Sequence, residues 1–211
     1  MSACSSCLAG FYSGASATGC TACSGGSISA VGACSCGSCA VGQYGVSTKC
    51  YNCGVGMYSI STTATACTTV PAGGYIASTG ASQIFYCAVG VYTAVSGSIS
   101  CIACAAAKYA ASTGSSSCTI CPAGQYTSNT GSSACNSCSV GVYSAASAIV
   151  CSNCVCGFFT ASTGMSSCTS CPAGQYQGST GQTACISCPC VSNRTIITNS
   201  TISSLASTHV Y

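Results

Sequence analysis

The residues able to do chemistry in this chain are almost all cysteines: 25 of 211 positions, most of them in C-x2-C pairs at 4/7, 20/23, 36/39, 50/53, 101/104, 118/121, 135/138, 151/154, 168/171 and 185/188, with single cysteines at 67 and 87. That spacing suits either of two chemistries. Reduced, two such pairs can hold zinc as thiolates; oxidised, each sulfur can be half of a disulfide. Little else is available. There is no Asp or Glu, so a paired-acid glycosidase, an aspartic dyad, a Ser-His-Asp triad and an EF-hand calcium cage are all excluded. The one histidine, His209, has no base, nucleophile or ligand beside it in sequence and reads as a solvated tail residue. Lys49, Lys108 and Arg194 are scattered and give a net charge of +3, too little and too dispersed to track phosphates. No enzyme activity, no cofactor, no metal and no nucleic-acid partner is expected.

Zinc remains a second alternative. Cys4, Cys7, Cys20 and Cys23 are spaced as C-x2-C-x12-C-x2-C, and similar pairs follow. Five Cys4 sites, however, would bring about ten net negative charges beside three cations, and would strand Cys67 and Cys87.

The elements that hold the cysteines are repeats. Counting from the second Cys of each pair, a Gly falls three residues on at 10, 26, 42, 56, 73, 90, 124, 141, 157 and 174, with Ala107 the exception. Five residues on comes an aromatic, from Tyr12 to Tyr176, broken only by Ile28; ten residues on, the 17-residue units place a second Gly at 80, 97, 114, 131, 164 and 181. Each Gly marks a tight turn, and the few residues between turns suffice for a short strand but not a helix. Leu, Ile, Val and Phe total 32 residues, too few for a conventional core. The expected fold is a small disulfide-rich repeat: an elongated rod of about eleven stacked two-stranded β units over residues 1–190, irregular at 67–87, with little or no helix. Its aromatics should form a packing row, each covering the next disulfide.

The irregular unit gives the direction of pairing. Val70 stands where a second Cys should be, and Ile84 where the next first Cys should be. Two cysteines lost together signal one bond replaced by an apolar contact. Bonds running forward leave nothing orphaned there: Cys7–Cys20, Cys23–Cys36, Cys39–Cys50, Cys53–Cys67, Cys87–Cys101, Cys104–Cys118, Cys121–Cys135, Cys138–Cys151, Cys154–Cys168 and Cys171–Cys185. Cys4, Cys34, Cys156, Cys188 and Cys190 are left over, an odd number. Either Cys188 meets Cys4 of another copy, giving a head-to-tail homopolymer, or the segment is cut from a longer array, or Cys188 bonds locally to Cys190 or Cys156.

After Cys190 the repeat stops. The tail, 191–211, is rich in Thr, Ile and Ser, is β-prone, and carries two sequons, at Asn193 and Asn199. No segment approaches the length of a membrane span, and Met1 runs into the first cysteines without an apolar leader, as in a mature chain or an excerpt. A mean hydropathy of +0.55 with 1% charged residues calls for glycans on some of the 41 Ser and 23 Thr, or for burial of the surface in an assembly.

The run CTICPAGQYTSNTGSSACNSC (118–138), echoed from Cys168 to Cys188, resembles the ephrin-receptor-like cysteine-rich repeat, related in style to tumour-necrosis-factor-receptor modules and found in surface and filament proteins of protists and algae. The resemblance implies disulfide-bonded extracellular rods. With the regular repeat it favours a structural subunit of an extracellular, glycosylated filament or stalk. A cell-surface receptor or adhesion ectodomain is the alternative, for which only Phe85-Tyr86 and Phe158-Phe159 offer a patch that breaks the repeat.

Overall fold

The computed structural model describes residues 7–15 and 17–188. Among them there is no helix, and twenty short strands form ten separate antiparallel hairpins, from Phe11–Tyr12 paired with Thr21–Ala22 to Gln175–Tyr176 paired with Ile186–Ser187. An eleventh unit, between Cys23 and Cys36, is reduced to one antiparallel bridge, Ile28 to Gly37. It is the unit in which Ile28 replaces the aromatic. Numbering the units by their first residue, 1 to 11 begin at Cys7, Cys23, Cys39, Cys53, Val70, Cys87, Cys104, Cys121, Cys138, Cys154 and Cys171.

Two-residue strands cannot stand alone in water, so the stack must supply what the hairpins lack. At eight of the ten junctions adjacent units are joined by the same three backbone hydrogen bonds; units 2 and 3 keep one of them, Ser29 N–H to Ser47 O (3.3 Å), and units 3 and 4 keep two, with Cys39 N–H donating to Thr62 O (3.0 Å) in place of the third. Between units 5 and 6, Gly73 N–H donates to Thr93 O (2.8 Å), Ile76 N–H to Ser98 O (3.0 Å) and Gly97 N–H to Val70 O (2.8 Å). Between units 9 and 10 the set recurs, with Gly141 to Thr160 (3.0 Å), Ser144 to Met165 (3.3 Å) and Gly164 to Cys138 (2.8 Å). The junction is therefore written in main chain, and side-chain identity matters to it mainly where a side chain would intrude.

Glycine is required at two levels. Gly73 has φ +85°, and a Cβ there would lie 2.1 Å from the carbonyl oxygen of Gly114, which belongs to unit 7, two units on. Gly90 meets Gly131 of unit 8 in the same way, at 2.0 Å. Each unit thus packs on the second-next as well as the next. The exception obeys the rule. Ala107 holds φ +65° while 5% exposed, and by the two-unit register it faces the turn at 145–148 of unit 9. That turn is one residue shorter, its disulfide spanning 13 positions where most of its neighbours span 14, and it bends through Ser147 at φ +63°. In unit 3, the shortest, the turn through Ser47 likewise leaves 3.7 Å beside Gly10.

The core is a line of sulfur and hydroxyl. Cys7, Cys39, Cys53, Cys87, Cys104, Cys121, Cys138 and Cys154 are all buried, and a second buried column runs through Ser13, Ser29, Ser59, Thr93, Thr127, Ser144 and Thr160, one residue beyond the aromatics. Burying a hydroxyl is tolerable only when it is bonded. Thr127 Oγ1 pairs with Ser132 Oγ (2.7 Å), Ser144 Oγ donates to Gln125 O (3.0 Å), and Thr160 Oγ1 accepts from Gly141 N–H (2.8 Å). No buried side-chain nitrogen or oxygen among the described residues lacks a partner. The aromatics stand in the row expected of them, with Tyr12, Tyr126 and Tyr143 each beside the disulfide of the next unit, but they are not enclosed: Tyr12 through Phe159 are half-buried and Tyr176 is exposed. The enclosed position at the junction is the next residue, Ser or Thr in seven units and Gly45, Ile76, Ala110 or Gln177 in the others.

Unit 5 is built differently. Val70 and Ile76 are fully buried, and Ile84 and Val70 close on Gly74, where a Cβ would lie 2.7 Å from one and 2.9 Å from the other. The missing bond and the usual hydroxyl are replaced together by aliphatic packing. Ile76→Ala is accordingly expected to cost about 3 kcal/mol, read as faster amide hydrogen exchange in units 5 and 6 with exchange in units 9 to 11 unchanged. The double change Val70→Cys with Ile84→Cys should close a further disulfide of the same forward type, seen as a linked peptide in non-reducing mass spectrometry.

Candidate functional site

The structure contains ten described disulfides, each running forward from the second cysteine of one pair to the first of the next: Cys7–Cys20, Cys23–Cys36, Cys39–Cys50, Cys53–Cys67, Cys87–Cys101, Cys104–Cys118, Cys121–Cys135, Cys138–Cys151, Cys154–Cys168 and Cys171–Cys185. Their Cα–Cα distances, 5.6 to 5.8 Å, lie at the preferred separation. Each ties the base of one unit, with the second cysteine buried in most units and the first nearer the surface of the stack.

This oxidised ladder engages the sulfurs that the zinc alternative would need. A Cys4 site needs thiolates, and the sulfurs of these pairs are already bonded to one another; no group of three or more His, Cys, Asp or Glu that could hold a metal occurs among the described residues.

Cys34 is disulfide-bonded as well. Two described cysteines carry free thiols, Cys156 and Cys188, and both are exposed. Cys156 donates weakly to Gly178 O at 3.4 Å. Cys188 occupies the register position from which every other unit but the fifth sends a bond forward. Cys4, Cys190, Arg194, His209, the sequons at Asn193 and Asn199, and the tail at 191–211 lie outside the described residues. Lys49 and Lys108 are exposed and belong to different units.

What remains on the surface is neutral. The Ser-Thr-Gly turns present Ser78, Thr79, Ser112, Thr113, Ser162 and Thr163 of units 5, 7 and 10 to solvent, and large apolar side chains are exposed as well, among them Ile60 (74%), Tyr86 (59%) and Ile102 (61%). Residues 108–148 and 157–204 match the family model described as tyrosine-protein kinase ephrin type A/B receptor-like. These two stretches are similar to ephrin-receptor-like cysteine-rich repeats. No curated protein matches it.

The ephrin-receptor-like stretches contain the two CPAGQY units, at 121–126 and 171–176, whose hairpins and disulfides are those of the other units. Disulfide-rich repeats of this kind are characteristic of extracellular domains. No described helix is long and apolar enough to cross a membrane. Two features of the ephrin-receptor-like units escaped the sequence reading. The buried hydroxyl column looks like ordinary surface Ser and Thr in a chain with 64 such residues, although its fixed place after each aromatic could have marked it. The two-unit glycine contact left a fainter signal, the pairing of Ala107 with a shortened turn in unit 9.

Proposed function

We propose that this chain is the structural subunit of an extracellular, glycosylated filament or stalk, assembling head to tail with copies of itself. The carrying observation is the junction. At eight of the ten junctions it consists of three main-chain hydrogen bonds, backed by a glycine contact two units on, with no catalytic, metal-binding or charged group of the described residues built into it. Such a design specifies length and straightness, and little else. Exposed Ser and Thr at the turns offer sites for the O-glycans that an uncharged surface with many exposed aliphatics requires. The exposed thiol of Cys188 gives assembly a covalent option; Cys4, the other half of the link expected from the sequence, lies outside the described residues.

Electron microscopy of the purified, oxidised chain over a concentration series tests this. Filaments with a regular axial repeat, carrying glycans by intact mass and shortened by Cys188→Ser, are expected. Single rods at every concentration would overturn the filament. They would favour a receptor or adhesion ectodomain, which one observation supports: Phe85 (47% exposed) and Tyr86 (59%) put two aromatics on a second strand, where the other two-residue second strands carry none.

A further inference from the structure

The stack leaves a shallow cleft between successive units, and at three junctions it is lined by residues at the same repeat positions. Between units 8 and 9 the walls are Tyr126 on one side and Ser139, Val142, Val150 and Cys151 on the other. Between units 9 and 10 they are Tyr143, against Val155, Phe158, Ser167 and Cys168. Between units 1 and 2 they are Tyr12, against Ser24, Ser27, Ser35 and Cys36. In each case the aromatic of one unit faces the disulfide of the next, and small hydroxyl or apolar residues close the sides. The rings are only half-buried, so part of each ring surface faces the cleft.

We propose that these clefts bind a neutral saccharide chain, one sugar ring stacked on each tyrosine. The lining excludes the other ligand classes. It has no charged residue, so an ionic ligand would lose hydration with no counter-charge to replace it. A purely apolar ligand would in turn strip water from the serine hydroxyls. A pyranose has an apolar face for the ring and a rim of hydroxyls for Ser139, Ser167 or the serines of the first cleft. Because the clefts at Tyr126 and Tyr143 are consecutive, one chain that reaches both gains the effective-concentration advantage of linked sites. The site is a property of the stack and does not depend on how copies assemble.

The test is calorimetry on the full oxidised chain from a non-glycosylating host, titrated with length series of cello- and manno-oligosaccharides and with oligogalacturonate as the charged control. Neutral sugars are expected to bind, with affinity rising at the length that spans two clefts. Tyr126→Ala and Tyr143→Ala should each weaken binding roughly tenfold, while Tyr→Phe at either position retains it. Ser139→Arg fills the cleft from an exposed position and leaves the ring in place. It should abolish binding at that junction with the disulfide map unchanged, which separates loss of site from loss of fold. Native material that binds sugar only after deglycosylation would assign the clefts to the chain's own glycans; native material that binds without treatment would assign them to a separate polysaccharide. Equal binding of oligogalacturonate, indifference to all three substitutions, or no binding by any neutral sugar would overturn the proposal.

Discussion

Reduction of the described disulfides is expected to unfold the stack and expose it to protease along its length. Each bond closes a loop of 11 to 14 positions, which in the chain-entropy model stabilises by about 3 kcal/mol. Little else could hold the units. The strands are two residues long in all but one hairpin, and apart from Val70 and Ile76 the fully buried side chains are cysteines, Ser13 and Thr160. Limited proteolysis with and without a thiol reductant is the direct measurement. Cleavage spread evenly over units 1 to 11 after reduction is the expected pattern; a reduced chain as resistant as the oxidised one would show that hydrogen bonding alone sustains the stack. Unit 5 is the internal control. Having no bond to lose, it should fail on reduction only because units 4 and 6 release it.

The second large effect is a comparison of two alanines. Gly73 and Gly157 occupy the same repeat position with nearly the same backbone, φ +85° and +82°, but a Cβ at Gly73 would meet Gly114 O at 2.1 Å, whereas among the described residues a Cβ at Gly157 would meet nothing within 4 Å. Gly157→Ala therefore carries only the strain of a left-handed non-glycine residue, about 1 kcal/mol. Gly73→Ala carries that strain and also forces two main chains apart, for a loss of roughly 3 kcal/mol or more. Hydrogen exchange should show the difference at the amides of Ile76 and Gly97, which donate across the junction of units 5 and 6, and at the amides of unit 7. Equal effects from the two substitutions would mean that the two-unit contact carries no energy.

Much of this was legible in the residues. The period, the hairpins and the absence of helix follow from glycine spacing, since a turn every few residues leaves room for nothing longer. The forward direction of bonding was legible from Val70 and Ile84, because a bond lost as a pair leaves both positions apolar. The aromatic column was legible as a column but not as a half-exposed one. A sequence shows which residues recur and not how closely main chains approach, and here the approach encloses Thr127 while Tyr126 beside it stays half-buried. The two-unit contact was hidden for a related reason. Reading repeats by nearest neighbour treats Gly73 as a turn residue and gives no cause to compare it with Gly114, 41 positions away.

That contact also bears on how such an array can evolve. Tandem genes commonly change copy number by unequal recombination, gaining or losing a unit at a time, and a stack coupled only to its neighbours would accept any such change. Here Ala107 is matched to the short turn of unit 9. Deleting unit 8 would bring it opposite unit 10, whose Gly164 carbonyl already lies 1.9 Å from the Cβ position of Gly124. The array has a phase, and lineages should vary its length freely where both glycines stand but keep units 7 to 9 together as an inherited block.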